Sequence, residues 1–160
     1  MYRSFDEFLH DLQQTRANHR RLQQRIHEAA SACCNVTTNF DRVGHGGGGG
    51  DARDGPIAAL ADLLDEQKRS WKELQLELYR IEWLAVMLDR RGFYREAVIL
   101  RWRYGRDDPW CDVETALRSN DFDPGSARTL YRWHRIALDE ARKLWEEQHG
   151  IKKKDSSEDR

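Results

Sequence analysis

Three arginines, Arg128, Arg132 and Arg135, follow one another at intervals of four and three residues, and no acidic residue falls between Ser126 and Arg135. On an α-helix that spacing gathers all three on one face. A guanidinium is planar, permanently charged and forked, which suits it to phosphate oxygens or to a guanine edge in the major groove of DNA. Ser126 stands where a side-chain oxygen can cap the start of such a helix, and Thr129 lies one turn further on. Ser126, Arg128, Thr129, Arg132 and Arg135 are therefore the expected DNA-binding residues, with double-stranded DNA as the partner.

A second basic stretch holds Arg90, Arg91, Arg95, Arg101, Arg103 and Arg106 against a single acid, Glu96. A surface of this kind could track a phosphate backbone. The opposite sign follows, with Asp107, Asp108, Asp112, Glu114, Asp121 and Asp123 against Arg118. These acids read as helix caps and solvated groups facing away from DNA.

Other chemistries lack the residues they need. Gly44, Gly46 and Gly49 fit a GxGxxG spacing, yet no apolar strand precedes them and no Lys-Ser/Thr pair follows. Cys33, Cys34, His27 and His45 offer neither a CxxC nor an HxxxH spacing, so no metal site is expected. The three cysteines, Cys33, Cys34 and Cys111, read as buried or half-buried thiols, and His19 as a residue of a helix seam. Nothing in the helical phases assembles a nucleophile with a base. The chain reads as a non-enzyme without a cofactor.

The elements that carry these residues are helical. Positions 5, 8, 12, 15, 19, 22, 26, 29 and 33 keep a three-four rhythm, which predicts one helix from Phe5 to Cys33, capped by Ser4 with Glu7. Positions 57, 60, 64, 67, 71, 74, 78, 81, 85 and 88 repeat the rhythm in a second helix, expected to start at Pro56 after a flexible glycine-rich loop at 44–55. Shorter helices are expected over Phe93–Tyr104, over 109–118 with Asp108 as cap, and from Ser126 to Gln148. The last of these turns Ala127, Leu130, His134, Ala137, Ala141 and Leu144 inward, broadened by Tyr131, Leu138 and Trp145.

The composition agrees with narrow apolar stripes. In 160 residues, 34% are charged and 39% hydrophobic, with a net charge of -1 that can still divide into a basic and an acidic face. Mean hydropathy is -0.90, and no apolar run is long enough to span a membrane. The expectation is a cytoplasmic all-α protein: a long antiparallel coiled-coil helical hairpin at 1–92, a three-helix helix-turn-helix module at 93–148 and a disordered tail at 149–160. The same heptads could instead pair two chains as a homodimer.

The stretch RWRYGRDDPWCDV, followed by SARTLYRWHRIALDEARKL, resembles the ArpU/RinA-type phage and prophage transcriptional regulators, whose helix-turn-helix is similar to region 4 of sigma factors. Arg103-Tyr104, Trp110, Val113, Leu117, the Ser126 to Thr129 start, Tyr131, Arg132, His134, Ala137 and Leu138 carry the resemblance. The segment SNDFDPG makes the turn before Ser126 longer than in that family. The resemblance implies a sequence-specific regulator of phage or prophage genes, with RNA polymerase as a further partner. Two alternatives stay open: an oligomeric packaging-type protein like a small terminase subunit, and an adaptor of RNA polymerase that does not touch DNA.

Overall fold

The computed structural model describes residues 4–40 and 51–150. It is all-helical, with no strand among the described residues. The elements are α1 (Phe5–Phe40), α2 (Asp51–Arg90), α3 (Tyr94–Ile99), a π-helical segment (Leu100–Arg106), α4 (Trp110–Ser119) and α5 (Ala127–His149). Gly44 to Gly50 and the tail beyond Gly150 lie outside the described residues.

The helix ends follow from side-chain and backbone chemistry. At α1, the Glu7 amide donates to Ser4 Oγ at 3.3 Å and the Ser4 amide donates to Glu7 Oε2 at 2.9 Å, a reciprocal capping box. At the end of α2, Gly92 takes a positive φ of 84° and the Phe93 amide reaches back to the Leu88 carbonyl at 3.0 Å. This is a Schellman closure, which glycine permits without strain. α4 ends in the same way with Asp121 (φ 62°) in glycine's place, and the Phe122 amide bonds the Leu117 carbonyl at 2.9 Å. Asp121→Gly should therefore raise stability by a few tenths to about 1 kcal/mol, read as a rise in thermal midpoint, because it relieves a left-handed side chain.

Several boundaries differ from the expected ones. α1 continues past Cys33 to Phe40. α2 starts at Asp51, so Pro56 lies within it rather than at its first turn. The expected helix over Phe93–Tyr104 divides into α3 and the π-helical segment, whose wider turns run on to Arg106. Pro109, not Asp108, precedes α4, and its own carbonyl accepts from the Asp112 and Val113 amides at 3.0 and 3.2 Å. Cys34 and Cys111 are exposed rather than buried.

The described residues fall into two compact units. In the unit Asp11–Gln75, stretches of α1 and α2 meet in opposite chain order: His19 Nδ1 lies 3.2 Å from Ser70 Oγ, and Arg25 lies 3.9 Å from Glu66. The expected α1 stripe is the buried one, with Leu12, His19 and Leu22 inward. The expected α2 stripe is rotated. Leu74 is buried, and Leu60, Leu63, Gln67 and Ser70 are half-buried, whereas Ile57, Leu64 and Trp71 are exposed. The imidazole of His19 explains the rotation: it pairs with the small hydroxyl of Ser70, and the Trp71 ring lies beside it at a centroid distance of 5.4 Å.

The other unit gathers the described residues up to His10 with those from Leu76 onward. Ile81, Leu84, Ala85 and Leu88 bury the inner face of α2 there. Phe8 stacks on Trp145 at 4.5 Å, and Asp6 accepts from Arg142 at 2.9 Å, tying the start of α1 to α5. A second apolar cluster joins α3, α4 and α5 through Ile99, Val113, Leu117, Leu130, Trp133 and Ala137. Val98, Trp102, Trp110 and Phe122 pack around it.

Candidate nucleic-acid interface

α5 begins at Ser126, whose hydroxyl accepts from the Thr129 amide at 3.2 Å and lies 3.1 Å from the Thr129 hydroxyl. Both residues are thus engaged in the cap, Ser126 exposed and Thr129 half-buried. The longer turn before them is built from specific bonds. Asp123 Oδ1 accepts from the Gly125 amide at 3.0 Å and from Arg118 at 3.4 Å, Pro124 is buried, and Phe122 packs on the apolar cluster. These contacts hold the Asp123 carboxyl below its ordinary range, the Gly125 amide first among them.

Beyond the cap, Arg128, Arg132 and Arg135 are exposed. At about 100° per residue their face lies opposite Leu130, Trp133, Ala137, Ala141 and Leu144, the residues that bury α5. Among the described residues none of the three arginines has an acidic partner. Other cations nearby do: Arg91 pairs with Glu147, Arg101 with Glu82, Arg118 with Glu114, Arg142 with Asp6 and Asp139, and Lys143 with Glu140. The unneutralised face runs about 10 Å along the helix from Arg128 to Arg135. Asp139 ends it one turn later.

The basic stretch before α4 is used differently from the expectation. Arg95 lies over Trp133 at 4.8 Å and beside the buried Glu96. Arg103 donates to the Asp108 carbonyl at 3.0 Å and covers Trp110, and Arg106 covers Trp102 at 4.3 Å. With Arg91 and Arg101 in ion pairs, five of these six arginines serve the fold, so an open phosphate track along Arg90 to Arg106 is not what the structure presents.

Two assignments on α5 change. Trp133 is buried where the stripe read from the sequence omitted it, and Tyr131, expected inward, is 56% exposed. His134 is half-buried in an aromatic cluster that sequence reasoning did not assemble. Its Nε2 lies 2.9 Å from the Tyr104 hydroxyl, and Trp110 meets both His134 (4.8 Å) and Tyr131 (5.5 Å) edge-on. The π-helical segment brings Tyr104 there, which a regular helical phase did not foretell.

Burial first, and the charge of Arg103 second, push the His134 imidazole below its ordinary value of 6.5. A neutral Nε2 accepts the phenol proton of Tyr104, whose own ionisation burial pushes upward. The unfolded chain binds the His134 proton before the folded chain does, so this stability is present above about pH 6.5 and is lost as the pH falls below it. Wild type should lose more thermal stability than His134→Gln between about pH 7.5 and about pH 5; equal losses would remove His134 as the cause.

No helix among the described residues is long and apolar enough to cross a membrane, and no group of His, Cys, Asp and Glu there could hold a metal ion. A groove of about 630 Å³ in the unit Asp11–Gln75 mixes Arg21, Arg25 and Arg69 with Glu66 and Glu73, so its charges largely offset one another. The chain matches no family model, no curated protein and no solved structure.

Proposed function

We propose that the chain is a sequence-specific DNA-binding transcriptional regulator, in which α4, its turn and α5 act as a helix-turn-helix and α5 is the reading helix. One observation carries this reading: Arg128, Arg132 and Arg135 share an exposed face of α5 without acidic partners among the described residues, while neighbouring cations such as Arg142 and Lys143 are neutralised. A face about 10 Å long fits a major groove about 12 Å wide, and the positive end of the helix dipole adds to its potential. Arg128, two residues past the cap, is the base-contacting candidate, and Arg135 a phosphate contact. The resemblance to ArpU/RinA-type regulators supports a phage or prophage setting, with RNA polymerase as a further partner.

The test is titration against a duplex selected from random sequence and against a scrambled duplex, at two salt concentrations. Arg128→Ala should cost about 1 to 3 kcal/mol on the selected duplex and relax the preference at one position. Arg135→Ala should weaken both duplexes alike and flatten the salt slope by about one unit. Unchanged affinity for both DNAs in all three single arginine variants overturns α5 as the reader and favours the adaptor reading.

The exposed column Ile57, Leu64 and Trp71 favours a coiled-coil homodimer. Light scattering separates a monomer or dimer, as a regulator requires, from the large ring of a packaging protein.

A further inference from the structure

Resting on the DNA-binding reading of α5, we infer that Tyr131 is a specificity-determining residue that packs its ring against the C5 methyl of a thymine in the major groove. Tyr131 is one turn from both Arg128 and Arg135, so at about 100° per residue it stands at the edge of the exposed arginine face, on the flank away from Arg132. Its ring leaves the core although its neighbour Leu130 and its near neighbour Trp133 are buried. Trp110 contacts that ring edge-on at 5.5 Å and 67°, and Trp110 is itself set by His134 and by the Arg103 guanidinium. The tyrosine is therefore an exposed aromatic with a supported orientation, which lowers the entropy cost of using it in an interface.

The surrounding charge selects the occupant. Three unneutralised arginines favour a polyanion, and the face is too short for more than one groove's depth of contact. Within a DNA major groove the apolar group on offer is the thymine methyl; the remaining edge atoms are hydrogen-bond donors and acceptors. An aromatic ring at the edge of the arginine face thus matches thymine among the four bases.

The experiment replaces each thymine of the selected duplex, one at a time, with deoxyuridine, which removes the methyl and leaves every hydrogen-bonding atom. Wild-type protein should bind about three- to fivefold more weakly at one such position, the loss expected for one buried methyl group. Tyr131→Ala should bind the thymine and deoxyuridine duplexes equally at that position. Tyr131→Phe should keep the wild-type discrimination, because the ring and not the hydroxyl makes the contact. Thermal melting of both variants checks their folding, and Tyr131→Gln, an exposed side chain without a ring, takes the place of Tyr131→Ala if that variant melts early. The inference is overturned if no deoxyuridine substitution weakens wild type, if Tyr131→Ala still discriminates at that position, or if Tyr131→Phe loses the discrimination and thereby reveals a phosphate-bonding hydroxyl. Wild type that binds no duplex at all overturns the DNA-binding reading itself, an outcome distinct from binding without methyl discrimination.

Discussion

Trp133→Ala should lower the unfolding free energy by about 3 to 5 kcal/mol, the cost typical of emptying a large aromatic site in a core. Trp133 is 9% exposed and lies in the cluster that holds α3, α4 and α5 together, with Ile99, Val113, Leu117, Leu130 and Ala137 around it. It also carries the Arg95 guanidinium on its face, so its removal leaves that charge without its ring. Because α5 presents the arginine face only while its opposite face is packed, the DNA binding proposed for α5 should fail in the same variant. Tyr131→Ala, two residues away, is the control: an exposed side chain outside the cluster should change stability by less than about 1 kcal/mol. Urea unfolding followed by circular dichroism measures both. Comparable losses in the two variants would contradict the burial of Trp133 and the exposure of Tyr131 on α5.

The difference between these two aromatics shows what the sequence could reveal of the site. The spacing of Arg128, Arg132 and Arg135 is a property of one helix, and one helix has a known period, so their common face was legible. Which side of α5 turns inward depends on partners distant in the chain. Tyr131 and Trp133 are both apolar enough to pack, and only Val113, Leu117 and Ile99 decide for Trp133. The same holds before α4: a run rich in arginine reads as an open basic surface until tryptophans and acids from other helices are known to take up Arg91, Arg95, Arg101, Arg103 and Arg106. Caps behaved differently again. Ser4 with Glu7 and Ser126 with Thr129 act within four residues, and local chemistry of that range survives folding unchanged. The π-helical turn had no local signature, since it exchanges regular backbone bonding for the placement of Tyr104 at His134.

Leu74→Asp and Leu64→Asp should separate by several kcal/mol although both leucines belong to the expected three-four stripe of α2. Leu74 is 6% exposed, and a carboxylate there is taken out of water without a partner, which costs about 3 kcal/mol or more. Leu22→Asp, on the buried stripe of α1, should behave as Leu74→Asp does. Leu64 is 40% exposed and belongs to the column of Ile57 and Trp71 that turns away from the seam, so its carboxylate stays hydrated and the cost should stay below about 1 kcal/mol. The polar pair of His19 and Ser70 gives the physical reason: with Ser70 turned into the seam, Trp71 lies beside His19 but stays 45% exposed, and Leu64 and Ile57, about two and four turns before it on the same column, are exposed with it. Thermal unfolding of the three variants measures this, and light scattering adds an independent readout. If two chains pair through the exposed column, Leu64→Asp reduces the scattering mass to that of one chain while leaving helicity intact, whereas Leu74→Asp removes both. Equal destabilisation by Leu64→Asp and Leu74→Asp would instead restore the regular heptad seam, with Ile57, Leu64 and Trp71 inward.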